Sequence, residues 1–309
     1  MNSLREAADR VRHSRGRGGL LRALSGVLCI SVAFAAQAAP LLLWEVSGGA
    51  APMWLFGSVH VCRADCFPLP AAVESKFRRA EVLAVEVDAT RADIAGALGD
   101  VSGGGAGLRE QLGNADWRRL VKQLSAMGMP EESVDALSPA MANVFVAVAA
   151  ASRAGLSPLH GIDLHFINRA QHDGKALVEL ETVERQMQAL AAGSEREQIE
   201  SLRSSLKAAD DGSLRASLDE LVGAWRRGDA NGLAEALRKA QAADPSSRAM
   251  FEELFDRRNR EMTDAIAKLA REGRPAFVVI GSGHLAGREA IPALLARRGF
   301  RVRQLSSSD

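Results

Sequence analysis

The sequence has no tyrosine, little aromatic character and three cysteines, and beyond residue 40 it has no apolar run long enough to span a membrane. Aromatic residues make up 5% of the 309 positions, which argues against a sugar-binding site built from stacked rings. Hydrophobic residues account for 47%, enough to bury a substantial core, and this excludes a disordered chain.

The first 40 residues differ in composition from the rest. Five arginines, from Arg10 to Arg22, precede the apolar run ALSGVLCISVAFAAQAAP, and the run ends in the cleavage-site pattern Ala36-Gln37-Ala38. We predict that residues 1–38 are a signal peptide and that the mature protein is periplasmic or secreted. An uncleaved N-terminal anchor is the alternative, although the run is shorter than the roughly 20 residues of a spanning helix. Cleavage would leave 33 basic and 36 acidic side chains, a charge of −3, which gives no indication of nucleic-acid binding.

Cysteine usage agrees with export. Cys29 lies in the predicted signal peptide, so the mature chain keeps Cys62 and Cys66 in the segment CRADC. In an oxidising compartment this pair suits a disulfide that closes a small loop. Free thiols, or two soft metal ligands beside His60, are the alternatives.

Short apolar runs at both ends of the chain predict an α/β domain over residues 39–309. LLLWEV and MWLFGSVH flank the turn segment SGGAAP and predict paired strands, followed by a helix in FPLPAAVESKFRRA and a strand in EVLAVEVD. The segment around 114–270 is rich in helix-forming residues and predicts a helical insertion, in which KALVEL is a strand candidate. The last forty residues predict strand, helix and strand, which is typical of an α/β layer fold.

Two strands are predicted to end in the same pattern, glycine followed by two residues and histidine. GSVH ends at His60 and GSGH ends at His284, 224 positions later. In open α/β sheets ligands bind outside the carboxyl ends of the strands, so both histidines could face one pocket. Histidine is the commonest metal ligand, and Glu86 at the end of a buried strand is the natural third ligand or proton acceptor, with Asp88 as the alternative. The alternative is that each histidine only bonds a loop carbonyl, and two histidines are too few to decide between these interpretations.

Several separated motifs occur in an order that resembles the TraB/GumN family, which includes the Tiki membrane proteases. The motifs are GSVH, EVD, GID at 161–163, LET at 180–182 followed by Gln186, RNREM at 258–262 and GSGH, and the resemblance covers about residues 41–308. It implies an erythromycin-esterase/ChaN-like sandwich, with a central β-sheet flanked by helices. For the Tiki branch it also implies metal-dependent peptide hydrolysis supported by manganese or cobalt; zinc is a further option here.

Carried across, the resemblance implies that His60 and His284 are metal-binding or catalytic and that Glu86 is the accompanying carboxylate. Arg258 and Asn259 match the Arg-Asn pair of the family. The guanidinium is expected to hold a substrate carboxylate or a developing oxyanion, with the amide donating to the same oxygen. The alternative for Arg258 is the solvated face of an amphipathic helix.

Asp163 and Glu181 are expected to support the site, either as helix caps or by orienting a catalytic side chain. Together with the resemblance, these residues predict an exported, metal-dependent hydrolase that cleaves a peptide or related amide bond, with metal-bound water as the nucleophile. Two alternatives stay open: a non-catalytic protein that binds a peptide or oligosaccharide, and an esterase for small molecules.

Overall fold

A computed structural model of the chain describes residues 39–91 and 107–309. The predicted signal peptide and the alternative anchor both fall in residues 1–38, outside the described residues. Within the described ranges no helix is both long and apolar enough to cross a membrane.

Within the described residues, six strands form one mixed sheet in the order β4-β3-β5-β2-β1-β6. Strands β2, β3, β4 and β5 run parallel, whereas β1 runs antiparallel to both β2 and β6. The carboxyl ends of the four parallel strands therefore meet at one edge of the sheet. The strands are β1 Pro40–Ser47, β2 Met53–Ser58, β3 Val82–Val85, β4 Ala176–Glu179, β5 Ala276–Gly281 and β6 Arg301–Ser306.

The central strands are apolar on both faces because both faces of the sheet are covered. Every residue of β2 and β3 is buried, and so is β5 up to its last residue, as expected for parallel strands between helices. The predicted pairing of the first two strands is confirmed. Gly48 in the turn between them has φ of 100°, a conformation that glycine adopts without strain.

Helices cover the sheet and form a second layer. Their N-termini follow local signals: Ser138 caps the helix that starts at Pro139, and Ser194 forms a capping box with Glu197. The helices are α1 Ala71–Arg79, α2 Leu108–Ser125, α3 Glu131–Asp135, α4 Pro139–Arg153, α5 Ile162–His172, α6 Val183–Leu190, α7 Glu195–Asp211, α8 Ser213–Arg226, α9 Ala230–Ala243, α10 Arg248–Phe251, α11 Arg258–Leu269 and α12 Ile291–Arg297, with a π-helical turn at Glu252–Arg257.

The described chain is a mixed α/β structure with two main apolar clusters. The larger surrounds the sheet and includes the mutually packed rings of Phe56, Phe77, Phe166 and Phe277. The smaller lies among α2, α3, α4 and α7. The predicted helical section around 114–270 is largely helical, but it also supplies β4, as the KALVEL segment predicted.

Cys62 and Cys66 lie in the loop after β2, with their sulfur atoms at bonding distance and their Cα atoms 6.4 Å apart. This is the arrangement that the predicted disulfide requires. Cys62 also forms two backbone hydrogen bonds with Ser157, at 3.1 and 2.8 Å, so the loop after β2 is joined to the segment that leads into α5.

Candidate functional site

The candidate site lies at the edge where the four parallel strands end. His60 follows β2 by two residues, Glu86 comes directly after β3, Glu181 follows β4 by two residues, and His284 follows β5 by three. The fold thus brings together both Gly-x-x-His segments and the carboxylate that the sequence analysis placed beside them.

Three side-chain groups surround Gly281, the last residue of β5: the rings of His60 and His284 and the carboxylate of Glu86. A Cβ atom at Gly281 would lie 3.1 Å from Glu86 Oε1, 3.5 Å from His284 Cδ2 and 3.6 Å from His60 Nε2. Only glycine leaves this space open. Three groups able to bind a cation or transfer a proton therefore face one small volume.

His60 is oriented by Asp163, which lies in the first turn of α5. Its Nδ1 donates to Asp163 Oδ2 at 2.9 Å, and Ser58 Oγ donates to the other carboxylate oxygen, so Nε2 is the ring nitrogen left for the cleft. The His60 side chain is 68% exposed, although the ring stands inside a cleft. The charge of Asp163 outweighs desolvation and raises the pKa of His60 to about 9.

His284 has a different partner and is buried. Its Nδ1 lies 2.6 Å from Asn259 Oδ1. An amide oxygen only accepts, so Asn259 in this orientation selects the tautomer with the proton on Nδ1. Nε2 accepts from Arg258 Nη1 at 3.3 Å, and the ring of Phe255 packs 5.3 Å away. Burial lowers the pKa of His284 to about 4, so this ring is neutral at neutral pH.

Glu86 is a buried carboxylate with both oxygens engaged. Oε1 accepts from the Gly281 N–H at 2.6 Å, and Oε2 accepts from Arg258 Nη2 at 2.6 Å and from Gln186 Nε2 at 3.1 Å. Burial alone would raise the pKa of Glu86, but the neighbouring His284 and Arg258 outweigh it and lower the pKa to about 2. Glu86 is therefore ionised at neutral pH.

Asp88, the alternative carboxylate, belongs to the turn after β3. Its Oδ1 accepts from the backbone N–H of Thr90 at 3.0 Å and from the Thr90 hydroxyl at 2.6 Å. This carboxylate stabilises its own turn and does not line the cleft at the strand ends. The geometry therefore favours Glu86.

Arg258 is 1% exposed, so it does not lie on a solvated helix face. Its five N–H donors all have acceptors. Nε donates to Glu181 Oε2 at 2.8 Å, Nη2 to Glu181 Oε1 and Glu86 Oε2, and Nη1 to the Leu254 carbonyl at 3.1 Å and to His284 Nε2. Contact with a substrate oxyanion would require the guanidinium to release one of these partners.

Asn259 and Glu181 act on other site residues in this structure. The Asn259 amide donates to the Glu289 carbonyl at 2.8 Å while its oxygen accepts from His284, so it fixes the ring of His284. Glu181 pairs with Arg258, and its burial raises its pKa. Both side chains orient the groups that line the cleft.

Sequence reasoning assigned no role to Ser58, Gln186 or Phe255. Ser58 stands inside the GSVH segment and bonds Asp163, and Gln186 follows the LET motif and bonds Glu86. Their positions next to motifs were the available signal. No sequence signal indicated a role for Phe255 in the π-helical turn, because its position looks like any apolar position of an amphipathic helix.

The described residues, as they stand, contain no group of three or more His, Cys, Asp or Glu side chains arranged to hold a metal ion. The donors around Gly281 are nevertheless of the types that bind a divalent ion. Both histidines bond an oxygen through Nδ1 and present Nε2, which is the usual arrangement of metal-ligating histidines. Arg258 Nη1 now occupies the lone pair of His284 Nε2, so a metal ion would have to displace that contact.

Comparison with known proteins gives one positive finding. The model of the TraB/PrgY/gumN family matches residues 42–304, which include every motif of the site from the GSVH segment to the GSGH segment. Neither the curated proteins nor the solved structures contain a significant match. Because the family match spans nearly the whole chain and the matched segments form one site, the protein belongs to the TraB/PrgY/gumN family.

Proposed function

We propose that this protein is an exported, metal-dependent hydrolase that cleaves a peptide or a related amide bond. One observation carries the proposal: His60, Glu86 and His284 come from three different strand ends and face the same space at Gly281. Groups with these chemistries at the carboxyl edge of a parallel sheet are the usual components of a hydrolytic centre.

His60, Glu86 and His284 would hold the divalent ion, for which manganese, cobalt and zinc are the candidates. Bound there, the ion would supply Lewis-acid chemistry by polarising a carbonyl and lowering the pKa of water. Asp163 and Asn259 bond Nδ1 of the two imidazoles and leave Nε2 of each for the cleft, where Nε2 of His284 lies 3.7 Å from Glu86 Oε1. Arg258 offsets the charges of Glu86 and Glu181, which keeps Glu86 ionised and able to bind a cation or accept a proton.

Two finer points belong to the same proposal. The sheet, with helices on both faces and the site at its carboxyl edge, supports an erythromycin-esterase/ChaN-like sandwich. The arginine-rich apolar segment at residues 1–38 supports export with cleavage after Ala38. N-terminal sequencing of protein recovered from the periplasm or the medium tests the second point, and an intact Met1 would contradict it.

The hydrolase is tested with a peptide library incubated with manganese, cobalt or zinc, and with a chelator as the blank. We expect cleavage by the wild type and a loss of at least about 100-fold in both His60→Ala and His284→Ala. His172→Ala is the matched control, because that ring is exposed, contacts Asp173 and does not line the cleft. Full activity in both site variants, with circular dichroism unchanged, would refute the proposal.

A binding protein is the second candidate, and one observation favours it. Arg258 already bonds both Glu86 and His284, and such a saturated network is also what a purely structural cluster would show. A peptide that binds and is recovered intact after long incubation with each metal would support this candidate. Matched ester and amide substrates, assayed side by side, separate the peptidase from the esterase.

A further inference from the structure

The cleft above the site residues has a polar floor and an apolar wall. It encloses about 500 Å³, and the polar floor includes His60, Glu86, Arg258 and His284. The wall comes from four helices and the π-helical turn, and it consists of Val144, Leu190, Leu218, Leu221, Val222, Leu233, Leu237, Leu254 and Phe255.

Most of this wall is accessible from the cleft. Val222 and Leu233 are buried, and the other seven wall side chains are half-buried. Elsewhere in the described chain the large apolar side chains left exposed are Met127 and Leu159. Seven half-buried apolar side chains thus line this one cleft, where contact with water is unfavourable unless an apolar group covers them.

A second cleft adjoins the first and has a different character. It encloses about 550 Å³ and shares Leu237, Phe255 and Gly283 with the apolar cleft. A Cβ atom at Gly283 would lie 2.6 Å from Phe255 Cε1, so glycine there lets the ring pack against the chain between the two clefts. Six charged side chains line this second cleft: Arg238, Glu252, Asp256, Arg260, Arg288 and Glu289.

We propose that the substrate is a peptide or peptide-like amide with a bulky aliphatic or aromatic side chain next to the scissile bond. That side chain occupies the apolar cleft, and the chain continues past Phe255 into the charged cleft. Since the occupant must reach the polar floor at Gly281, it is the reacting molecule rather than a second copy of the protein. The volume agrees with a ligand site, for which about 300–1,000 Å³ is usual.

This inference rests on the proposed function in treating the bound molecule as a substrate. A binding experiment needs no cleavage, so it tests the apolar cleft separately from the hydrolase. The probes are dansyl-Leu-Leu-Leu-amide and dansyl-Ser-Ser-Ser-amide, with fluorescence anisotropy as the readout. His284→Ala protein is used beside the wild type so that cleavage does not consume the probe. We expect the leucine probe to bind at least about tenfold more tightly than the serine probe, because each buried leucine side chain contributes about a tenfold or larger factor.

The wall itself is tested with Leu218→Ser and Leu237→Ser, both half-buried in the cleft. Each is expected to weaken the leucine probe about tenfold and to leave the serine probe unchanged. Leu177→Ser is the matched control, because Leu177 is equally half-buried but lies on β4 and packs on the sheet core. Equal affinity for both probes, or an equal loss in the control variant, would overturn the inference.

A cleavage profile completes the test. Peptide-library products analysed by mass spectrometry are expected to show Leu, Ile, Met or Phe enriched on one side of the cut. Cleavage without an apolar preference would leave the hydrolase standing and overturn the inference. Preference for the leucine probe without cleavage under any metal would refute the hydrolase and support the apolar cleft as a binding site.

Discussion

The two Gly-Ser-x-His segments lie at the ends of neighbouring parallel strands, β2 and β5, and place their histidines in opposite surroundings. His60 is 68% exposed and faces the carboxylate of Asp163, which raises its pKa to about 9. His284 is buried against the amide of Asn259, and its pKa falls to about 4. The repeated motif therefore sets where an imidazole stands, whereas the partner from another element sets its charge.

The serines of the two motifs differ as well. Ser58 donates to Asp163 and so fixes the partner of His60. Ser282 lines the cleft, and its hydroxyl makes no hydrogen bond to any residue that the structure describes. One motif is thus held in place by its serine, and the other leaves its serine available to a ligand.

The largest effect on the free energy of unfolding is expected from Arg258, whose guanidinium bonds both Glu86 and Glu181. Arg258→Met would remove the cationic partner of the buried Glu86 and Glu181, and removal of one member of a buried ion pair costs about 3–5 kcal/mol. Urea unfolding measures this loss. Arg260→Met, on the exposed side of the same helix, should change the free energy of unfolding by less than about 1 kcal/mol. Equal effects would show that the buried network does not stabilise the fold.

The next largest effect is expected from Asp163 and Asn259, the residues that bond Nδ1 of the two histidines. Asp163→Asn and Asn259→Leu should each lower metal affinity about 10- to 100-fold, because a residue that orients a ligand is worth about that much. Isothermal titration with manganese measures both. If neither substitution changes the affinity, the two histidines do not owe their ligand function to these partners.

A smaller effect is expected from the Cys62–Cys66 loop, which follows the GSVH segment and has no counterpart after the GSGH segment. Loss of the Cys62–Cys66 link, with a separation of four residues, should cost no more than about 2 kcal/mol on loop-entropy grounds. We expect Cys62→Ser/Cys66→Ser to fold and to bind metal less tightly through His60, while Asn259 still holds His284. A double variant as stable and as tight-binding as the wild type would show that the loop needs no such link.

A further expected effect is a pair of opposite pH dependences of the free energy of unfolding in protein stripped of metal. His60 has a folded pKa of about 9, above its ordinary 6.5, so its stabilisation is complete below pH 6.5 and is lost as pH rises towards 9. His284 has a folded pKa of about 4, so the unfolded chain takes up the proton first and stability falls from pH 6.5 towards 4. His60→Gln should flatten the alkaline side of a stability profile, and His284→Gln the acid side. Flattening on the same side in both would contradict the comparison.

The sequence allowed the strand ends to be predicted because strand patterns are local and parallel strands share a carboxyl edge. On that basis it raised the possibility that His60, Glu86 and His284 face one space, and in the structure all three lie around Gly281. The partners were harder to predict, since Asp163 lies 103 residues from His60 and its contact depends on the packing of α5. The burial of Arg258 was not predictable, because its helix has an ordinary amphipathic pattern.

The apolar wall was equally inaccessible to sequence reasoning. Leu218 and Leu237 occupy positions that any amphipathic helix uses for its core-facing stripe. Only the assembled helices show that these side chains face a cleft. Periodicity identifies which face of a helix is apolar, but not whether protein or a ligand covers that face.

Metal analysis of the purified protein tests the central claim most directly. Wild type, His60→Ala and His284→Ala are dialysed against manganese, cobalt or zinc separately, and the bound metal is measured by elemental analysis. The account predicts near-stoichiometric metal in the wild type and its loss in both variants, because the two histidines face one space at Gly281. Metal retained in both variants, or no metal in any sample, would contradict a shared metal site.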